Sequence, residues 1–313
     1  MAKYLVTGAA GFIGRSICAE LLQRGESVRG VDNLSTGKRE NLVGLEAVDF
    51  VEADINDADA MAKALRGVEI VFHEAAIPSV PRSVSDPIGS NHAGVTGTVQ
   101  LLTAAKDAGV RRVIYAGSSS AYGESATLPK HEGMTPDPIS PYAVSKVAGE
   151  YYMKSFARVY KLETVTLRYF NVFGPYQDPS SQYSGVLARF SLGMLKGETP
   201  TIFGDGEQSR DFTFIANVVH GNLLAAHAPA ESVSGRMFNV ATGDRITLNQ
   251  TVEILRNLTG YQGSVNYGPE RSGDIKHSLA DINLARKQFG YEPQVDFREG
   301  LRRTVDWYKG LAS

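Results

Sequence analysis

A glycine-rich segment that directly follows an apolar run near the N-terminus constrains the fold more than any other feature. The apolar run is Lys3–Thr7, and the glycine-rich segment Gly8–Gly14 leads into an amphipathic stretch at Ile13–Arg24. Glycines at such a point let the backbone approach a pyrophosphate, and the N-terminus of the following helix favours negative charge. The segment therefore predicts a strand, a turn and a helix that bind a dinucleotide, with a purely structural turn as the alternative.

Short apolar runs alternate with longer amphipathic stretches through the first half of the chain. This rhythm is typical of parallel strands joined by crossover helices. It predicts an α/β fold of the Rossmann type, with a doubly wound parallel sheet. The predicted strands are Lys3–Thr7, Ser27–Val31, Asp49–Ala53, Ile70–His73, Arg112–Ala116 and Glu163–Leu167, and the predicted helices are Ile13–Arg24, Ala58–Leu65, Gly94–Ala108, Tyr142–Val159 and Asn217–His227.

The length of 313 residues is enough for two lobes. Loop-forming sequences such as Asp178–Ser181 and Gly204–Gly206 become more frequent in the second half. We therefore expect a dinucleotide-binding domain over residues 1–175 and a smaller C-terminal lobe, mainly 176–313, that binds the substrate. Segments near 210–240 are expected to return to the first domain.

Composition disfavours several classes of function. The formal net charge of −2 leaves no basic excess for binding many phosphates, so we expect no nucleic-acid partner. The first apolar run is too short for a signal peptide, and no run approaches the roughly 20 residues of a membrane helix. The single cysteine, Cys18, lies among apolar residues, which indicates buried packing. We expect a cytoplasmic protein without membrane contact.

An acidic residue at the end of the second predicted strand supports dinucleotide binding. Asp32 follows Gly8 by 24 residues, near the place where a carboxylate accepts hydrogen bonds from the adenosine ribose. Its charge also repels a 2′-phosphate, which favours NAD over NADP. Lys38 and Arg39 lie close enough in sequence to weaken this preference, although they are also explained as solvated loop charges. Asp54 is interpreted as either an adenine contact or a helix cap.

Three residues further along the chain form a candidate catalytic group. Ser118 follows a predicted strand, and ligands bind at the carboxyl ends of strands in open parallel sheets. Tyr142 and Lys146 are four residues apart on a predicted helix, which places both side chains on one face. We expect the Lys146 ammonium to lower the pKa of Tyr142, so that Tyr142 acts as a general base. A surface pair of little energetic value is the alternative explanation of this spacing.

These motifs together resemble the extended short-chain dehydrogenase/reductase family over nearly the whole chain. Within it, the sequence is most similar to the NAD-dependent nucleotide-sugar 4-epimerases, especially those of UDP-N-acetylglucosamine. The resemblance implies epimerisation of a UDP-hexose through a transient 4-keto sugar, with NAD restored in every turnover. The segments that carry the resemblance are Ser79–Ser83, Ser140–Tyr142, Arg168–Gly174, Gly204–Phe212 and Arg271–Asp274.

The resemblance also implies a role for each site residue. Tyr142 removes the proton of the sugar 4-hydroxyl, Ser118 hydrogen-bonds the same oxygen, and Lys146 binds the nicotinamide ribose. The residues expected to bind NAD are Gly8, Gly11, Phe12, Ile13, Gly14, Asp32, Asn33, Ser35, Thr36, Gly37, Asp54, Ile55, Ala75, Ala76, Asn91, Tyr142, Lys146 and Tyr169. The residues expected to bind the nucleotide sugar are Ser79, Arg82, Ser118, Ser119, Ser120, Tyr142, Asn171, Val186, Leu187, Thr201, Phe203, Arg210, Arg271, Asp274 and Ser278.

A few positions distinguish the candidate reactions and sugars. Hexose 4,6-dehydratases carry an Asp-Glu pair where this chain has Ser119 and Ser120, which disfavours dehydration. UDP-glucuronate decarboxylases typically have Glu in place of Ser120, and glucuronate epimerases usually have Thr in place of Asn171, so both remain alternatives. Ser278 aligns with the substrate gate of the family and leaves room for an N-acetyl group. We therefore expect activity on UDP-N-acetylglucosamine and its galacto epimer, with the UDP-glucose pair as further substrates.

The resemblance further implies a homodimer. Family members commonly dimerise through the helix that carries Tyr142 and through the neighbouring segment Gly97–Lys106. Apolar residues such as Leu101 and Leu102 are consistent with such a contact, although packing in the core of the monomer explains them equally well.

A protein that senses dinucleotides without catalysis is the alternative class of function. The presence of Ser118, Tyr142 and Lys146 together favours an enzyme. His73 ends a predicted strand and is interpreted as a structural histidine. Because the sequence offers no second imidazole near it, we assign no metal.

Overall fold

The computed structural model describes residues 2–178, 185–270 and 276–312. Arg271 and Asp274, two of the predicted substrate-binding residues, lie outside the described residues. The strands are β1 Tyr4–Thr7, β2 Val28–Asp32, β3 Asp49–Glu52, β4 Ile70–His73, β5 Arg112–Ser118, β6 Glu163–Tyr169, β7 Val172–Phe173, β8 Thr201–Phe203, β9 Ser209–Arg210, β10 Thr213–Phe214, β11 Arg236–Val240, β12 Ile246–Thr247 and β13 Asn266–Gly268. The α-helices are α1 Phe12–Gln23, α2 Ala58–Ala64, α3 Val80–Ser85, α4 Pro87–Asn91, α5 Gly97–Asp107, α6 Pro141–Tyr160, α7 Val186–Leu195, α8 Ile215–His227, α9 Ala230–Val233, α10 Leu248–Thr259, α11 Asn283–Phe289 and α12 Phe297–Ala312.

A seven-stranded sheet forms the centre of the fold, in the order β11-β6-β5-β4-β1-β2-β3. Every neighbouring pair in it is parallel. The inner strands β1 and β4 are buried along their whole length, as expected for a parallel sheet that helices cover on both faces. The predicted doubly wound sheet of the Rossmann type is confirmed.

Successive residues of the sheet pack into two separate cores, one on each face. Val6 belongs to the core that α1 and α8 cover, whereas Leu5 belongs to the core that α2, α5 and α6 cover. This alternation follows from the two-residue period of a strand. Leu101 and Leu102 of α5 are fully buried in the second core. Packing within the monomer therefore explains both leucines, and they do not support a dimer contact.

The predicted elements of the first half match the structure within a few residues, except for the helix predicted over Gly94–Ala108. The chain here is helical from Pro87, and α4 continues into α5 through a π-helical turn at residues 92–96. The side chain of Asp86 accepts a hydrogen bond from the Gly89 backbone N–H at 2.8 Å and caps the helix. A π turn shifts the phase of the apolar pattern, so periodicity alone missed the first two turns.

Beyond β6, most of the strands form small sheets that are separate from the central one. Three two-stranded pairs, β10-β7, β12-β9 and β13-β8, lie in this part of the structure. In the sequence between β10 and β12, α8 packs against α1, and β11 pairs with β6 at the edge of the central sheet. Within the described residues, no helix is long and apolar enough to cross a membrane.

Candidate active site

The glycine-rich segment forms a tight turn between β1 and α1. Gly8 has a φ of +67°, and a Cβ at this position would lie 2.9 Å from the backbone nitrogen of Ala75. A Cβ at Gly14 would lie 2.1 Å from the carbonyl oxygen of Gly8. Both positions therefore require glycine. The N-cap of α1 is Gly11, which has no side chain to satisfy the N–H groups of the first turn, so these groups suit a phosphate.

The carboxylate of Asp32 lies beside this turn, at the end of β2. Its Oδ2 accepts a hydrogen bond from the backbone N–H of Ala10 at 3.0 Å, and its Oδ1 accepts one from that of Leu34 at 2.8 Å. Burial raises the pKa of Asp32, and these two hydrogen bonds oppose the rise. Gly37 packs so closely that a Cβ there would lie 2.9 Å from Oδ2. Asp32 is thus fixed where a carboxylate fits the hydroxyls of an adenosine ribose.

Asp54 connects the loops that follow β2 and β3. Its Oδ2 accepts a hydrogen bond from Asn33 Nδ2 at 2.7 Å. The cap of α2 is instead Asp57, whose side chain accepts a hydrogen bond from the Ala60 N–H at 3.0 Å. The helix-cap interpretation of Asp54 is therefore wrong, while the adenine contact stays a prediction.

The two cations near Asp32 both have carboxylate partners. Lys38 Nζ lies 2.6 Å from an oxygen of Asp178, and Arg39 pairs with Glu52. These pairs support the interpretation of Lys38 and Arg39 as loop charges. Neither cation needs a 2′-phosphate to balance it, which agrees with a preference for NAD.

The predicted cofactor residues lie mainly in loops that follow four neighbouring strands of the sheet. Because these strands are parallel, their carboxyl ends meet at one edge. Asn91 differs, since it is an exposed residue at the end of α4. Tyr142 and Lys146 lie in α6, and Tyr169 ends β6. The others are Gly8, Gly11, Phe12, Ile13 and Gly14 after β1, Asp32, Asn33, Ser35, Thr36 and Gly37 at and after β2, Asp54 and Ile55 after β3, and Ala75 and Ala76 after β4.

The three predicted catalytic residues meet at the carboxyl end of β5. Ser118 is the last residue of β5, and its Oγ accepts hydrogen bonds from the backbone N–H of Ser120 at 3.2 Å and from the Ser120 hydroxyl at 2.8 Å. Tyr142 lies in the first turn of α6, which the side chain of Ser140 caps. Lys146 follows one turn later and is buried. The cap and Pro141 at the first helical position fix where α6 starts and so place Tyr142 beside Ser118.

The electrostatics of Tyr142 differ from the prediction. Burial raises its pKa, a hydrogen bond with Ser118 opposes the rise, and the charge of Glu74 adds to it. The expected lowering of this pKa by Lys146 is wrong for this structure. Lys146 Nζ instead donates a hydrogen bond to the carbonyl oxygen of Ala116 at 2.8 Å. Burial also lowers the pKa of Lys146, to about 8.

Tyr169 joins the site to a residue that the sequence did not single out as functional. The Tyr169 hydroxyl donates a hydrogen bond to Glu74 Oε1 at 2.9 Å and accepts one from Asn222 Nδ2 at 2.8 Å. Within the described residues, the buried Oε2 of Glu74 has no hydrogen-bond partner. An acidic residue directly after the apolar strand β4 is the signal that could have identified Glu74.

His73 and Cys18 have structural roles. The His73 ring is hydrogen-bonded to the hydroxyls of Thr7 at 2.8 Å and Thr98 at 3.0 Å, and burial lowers its pKa to about 3. Burial raises the pKa of Cys18 to about 12. In the part of the chain that the structure describes, no group of three His, Cys, Asp or Glu residues could hold a metal ion.

A cavity of about 270 Å³ brings together many of the predicted substrate-binding residues. Apolar side chains form much of its wall, and a few polar groups face it, as is typical of small-molecule sites. The predicted residues that line it are Asn171, Val186, Leu187, Thr201, Phe203 and Arg210. Gln177, Arg189, Phe190, Gln208 and Leu248 also line it and were missed. Arg189 and Phe190 lie on α7 with the predicted Val186 and Leu187, whereas Gln208 is brought there by the short strand β9 that follows it.

Asn171 connects this cavity to Ser278. Its Nδ2 donates hydrogen bonds to the Ser278 hydroxyl at 3.2 Å and to the carbonyl oxygen of Asp211 at 2.8 Å. Ser278 is buried. The carboxylate of Asp211 accepts hydrogen bonds from the backbone N–H groups of Thr242 at 3.0 Å and Ala280 at 3.2 Å. These contacts hold the segment around Ser278 against the cavity.

The remaining predicted substrate residues lie elsewhere around the site. Ser79 caps α3, and its hydroxyl accepts a hydrogen bond from the Arg82 N–H at 3.0 Å. Ser119 and Ser120 form the 3₁₀ turn that follows β5. The side chains of these four residues do not line the cavity, and their contacts with a sugar stay predictions.

Comparison with known proteins gives the family. The model of the NAD dependent epimerase/dehydratase family matches residues 4–241. The chain belongs to this family. A curated relative, the UDP-glucose 4-epimerase of Mycolicibacterium smegmatis, is 41% identical over 312 residues, which cover 98% of each chain.

Two solved structures are similar over 99% of this chain and 99% of their own. One is the UDP-glucose 4-epimerase of Thermotoga maritima with UDP-glucose, at 40% identity and a TM-score of 0.94. The other is a UDP-N-acetylglucosamine 4-epimerase from Methanobrevibacter ruminantium in complex with UDP-N-acetylmuramic acid, at 42% identity and a TM-score of 0.92. The predictions of the extended short-chain dehydrogenase/reductase family, of NAD as cofactor and of a nucleotide-sugar 4-epimerase are confirmed.

The site of this member of the NAD-dependent epimerase/dehydratase family fits its cofactor. Gly8 and Gly14 leave the close backbone approach that a pyrophosphate needs, and a Cβ at either would collide with backbone atoms. The buried carboxylate of Asp32 stands at the end of the next strand. Lys146 is buried and lies one helical turn after Tyr142 in α6.

Proposed function

We propose that this enzyme interconverts UDP-N-acetylglucosamine and UDP-N-acetylgalactosamine, and that it also accepts UDP-glucose and UDP-galactose. The observation that carries the choice of sugar is the small residue Ser278 beside Asn171, with 3.2 Å between Ser278 Oγ and Asn171 Nδ2. An aromatic ring in place of the hydroxyl would fill the space next to Asn171, and an N-acetyl group needs that space. The similarity to the M. ruminantium enzyme supports the same choice.

Tyr142 is the general base in this proposal. As phenolate it takes the proton of the sugar 4-hydroxyl, while Ser118 donates a hydrogen bond to the same oxygen. NAD held by the glycine-rich segment, Asp32 and Lys146 would supply reversible hydride transfer at C4. The resulting 4-keto sugar rotates within the site, so that C4 is reduced on its opposite face. Tyr142 then returns the proton to the oxygen at C4. The reaction leaves no net oxidation.

The glycine-rich segment and Asp32 hold the cofactor. Backbone N–H groups at the start of α1 bind the pyrophosphate, and Gly8 and Gly14 allow its close approach. Asp32 accepts hydrogen bonds from the hydroxyls of the adenosine ribose, and its charge opposes a 2′-phosphate. Lys146 binds the nicotinamide ribose.

The cavity binds the nucleotide part of the substrate. Arg210 faces it, and a guanidinium matches the oxygens of a diphosphate. Phe203 and Leu187 supply apolar surface against which the uracil ring packs. Binding energy from these remote groups positions C4 of the sugar beside Tyr142.

UDP-glucuronate 4-epimerisation is the second candidate function. The UDP-glucuronate 4-epimerase of Thermodesulfobacterium geofontis is 34% identical over 321 residues, which cover 99% of this chain and 97% of that enzyme. Asn171 stands where glucuronate epimerases usually carry Thr, which favours neutral hexoses.

The purified protein tests the proposal when it is incubated, without added NAD, with each of UDP-N-acetylglucosamine, UDP-glucose and UDP-glucuronate. Anion-exchange chromatography and NMR identify the sugar products. We expect UDP-N-acetylgalactosamine from the first substrate, with no net NADH. If only UDP-glucuronate were converted, the assignment of Tyr142 as general base would stand, but the proposed choice of sugar would be wrong.

The variant Ser278→Tyr is expected to lower turnover of UDP-N-acetylglucosamine about 100-fold, because the ring occupies the space of the N-acetyl group. Turnover of UDP-glucose should change far less. Ser278→Ala is the matched control, since it loses the hydrogen bond with Asn171 but adds no volume, and it should keep activity on the N-acetyl sugar. Steady-state kinetics on both sugars measure the ratio, and an unchanged ratio in Ser278→Tyr would remove Ser278 from the sugar pocket.

We further propose a homodimer that forms across α6. Val144 is 50% exposed and Tyr151 is 58% exposed on this helix, seven residues apart and hence on one face.

The variant Tyr151→Asp is expected to halve the molar mass in solution, because it places a charge in an apolar contact. Light scattering after gel filtration measures the mass. Val43→Asp is the control, as Val43 is 70% exposed in a loop remote in sequence from α6. A wild-type monomer, or a dimeric Tyr151→Asp, would contradict this contact.

A further inference from the structure

Two carboxylates act on the charge of Lys146, and they differ in their partners. Both Glu74 and Glu150 favour the protonated form of Lys146. Glu150 forms a double hydrogen bond with the Arg168 guanidinium, with Nε–Oε1 at 2.8 Å and Nη2–Oε2 at 2.7 Å. The Arg168 side chain is 0% exposed and that of Glu150 is 2% exposed, so this pair is a closed unit in which the two charges cancel.

Glu74 differs from Glu150, because within the described residues its carboxylate is hydrogen-bonded by a neutral group and not by a guanidinium. Its Oε1 accepts a hydrogen bond from the neutral hydroxyl of Tyr169 at 2.9 Å, and Asn222 Nδ2 holds that hydroxyl at 2.8 Å. Its Oε2 is buried and has no hydrogen-bond partner within the described residues. Burial disfavours the ionised form of this carboxylate, whereas the Tyr169 hydrogen bond and, after it, the charge of Lys146 favour that form.

The fold places Glu74 inside the catalytic crevice. Its backbone carbonyl carbon packs against the glycine-rich turn, since a Cβ at Gly8 would lie 3.0 Å from it. On the other side, its partner Tyr169 ends β6 in register with Ser118 of β5. Glu74 directly follows His73, which pairs in register with Tyr115, so Glu74 leaves β4 next to Ala116 of β5. The carbonyl oxygen of Ala116 accepts the hydrogen bond from Lys146 Nζ at 2.8 Å, which places Glu74 and Lys146 in one neighbourhood.

We propose that Glu74 is the counter-ion of Lys146 and a positioning residue of the catalytic site, which acts on Lys146 and Tyr142 through its charge and on Tyr169 through its hydrogen bond. This inference rests on the proposed function, in which Tyr142 is the general base. Glu74 touches none of the reacting atoms itself.

The charge of Glu74 moves two titrations in the same direction. A negative neighbour keeps a proton on an ammonium and on a phenol alike, so Glu74 raises the pKa of Lys146 and of Tyr142. Its own pKa is raised by burial to about 7, and the Tyr169 hydrogen bond and Lys146 oppose that rise. Replacement of the carboxylate by an amide should therefore lower both pKa values.

A histidine and a tyrosine close to Lys146 are uncharged. His73 is neutral because burial lowers its pKa to about 3. The ring of Tyr115 lies 4.9 Å from Lys146 Nζ, and burial raises its pKa, so it remains a phenol. Glu150 also raises the pKa of Lys146, but it is paired with Arg168, whereas Glu74 acts on both Lys146 and Tyr142.

The test is a titration of Tyr142 that needs no turnover. The ultraviolet difference between wild-type holoenzyme and Tyr142→Phe isolates the tyrosinate signal of Tyr142, and the same difference is measured in the Glu74→Gln background. We expect the midpoint in Glu74→Gln to fall by about one pH unit or more. The variant Glu74→Asp keeps the charge but is too short to hold Tyr169, so its midpoint should stay close to that of the wild type.

Equal midpoints in the wild type and Glu74→Gln, or an equal shift in Glu74→Asp, would overturn the inference and leave Glu74 a structural residue. Should Glu74→Gln prove unstable, Glu74→Met, which is similar in length and carries no charge, takes its place, and the same fall of the midpoint is expected. In active enzyme, both limbs of the kcat profile should also move to lower pH in Glu74→Gln. Because the titration is independent of any sugar, failure of the proposed epimerisation would leave its result readable.

Discussion

Tyr142→Phe is expected to lower kcat for epimerisation about 1,000-fold while the protein keeps its bound NAD. The phenol is the group that takes the proton of the sugar hydroxyl, and loss of a positioned base typically costs a factor of this order. The ring itself remains and fills the same space between Ser118 and the start of α6, so packing should change little. Chromatographic assay of the epimer measures turnover, and the absorbance of released cofactor measures NAD content.

Tyr160→Phe is the matched control for this variant. Tyr160 lies at the other end of the same helix and is 51% exposed, so loss of its hydroxyl should leave turnover unchanged. If Tyr142→Phe retained more than about a tenth of wild-type kcat, another group would have to be the base. A dinucleotide-sensing protein would show no turnover in either form.

Gly14→Ala is expected to abolish retention of NAD. The added Cβ would stand 2.1 Å from the carbonyl oxygen of Gly8 and 2.7 Å from its carbonyl carbon, and both are backbone atoms that cannot turn aside. The turn must therefore open, and the first N–H groups of α1 move away from the place of the pyrophosphate. NAD released on denaturation and counted per chain gives the measurement.

Gly310→Ala is the control for that change. Gly310 is also a helical glycine, in α12, and a Cβ there meets nothing within 4 Å. Its NAD content should equal that of the wild type. Full NAD occupancy in Gly14→Ala would contradict the assignment of the glycine-rich segment to the cofactor.

The first half of the fold could be predicted because its signals are local. Each inner strand is a short apolar run, and each run is followed by residues with one strong preference, such as Gly8 after β1 and Asp32 at the end of β2. Positive φ at Gly8 and the narrow space at Gly14 are the physical reasons for the glycines. The spacing of Tyr142 and Lys146 likewise follows from the period of one helix.

The parts that sequence reasoning missed depend on contacts between distant segments. Gln208 enters the cavity through the pairing of short strands, which have no period to recognise. The orientation of the Lys146 side chain depends on its hydrogen bond to the carbonyl oxygen of Ala116, which is 30 residues away in sequence. From sequence, Glu74 is an ordinary residue at the end of a strand, and only its hydrogen bond with Tyr169 indicates a role in the site. In each case the pairing is visible only in three dimensions.

Several predictions from sequence stay predictions. They include the division of the chain at residues 175 and 176, the cytoplasmic location, and the individual ligand contacts of the site residues. The roles of Arg271 and Asp274 fall on residues outside the described ranges. Substitution of Arg271 by Met would test that arginine through the KM for the UDP-sugar.

The most direct test of the account follows the hydrogen at C4. The enzyme is incubated in ordinary water with UDP-N-acetylglucosamine that carries deuterium at C4 of the sugar, and the UDP-N-acetylgalactosamine formed is analysed by NMR and mass spectrometry. Removal of that atom as hydride and its return within the closed site predict full retention of deuterium at C4 of the product. Replacement of the deuterium by hydrogen from water would contradict the account, because it would mean that C4 is deprotonated instead of oxidised.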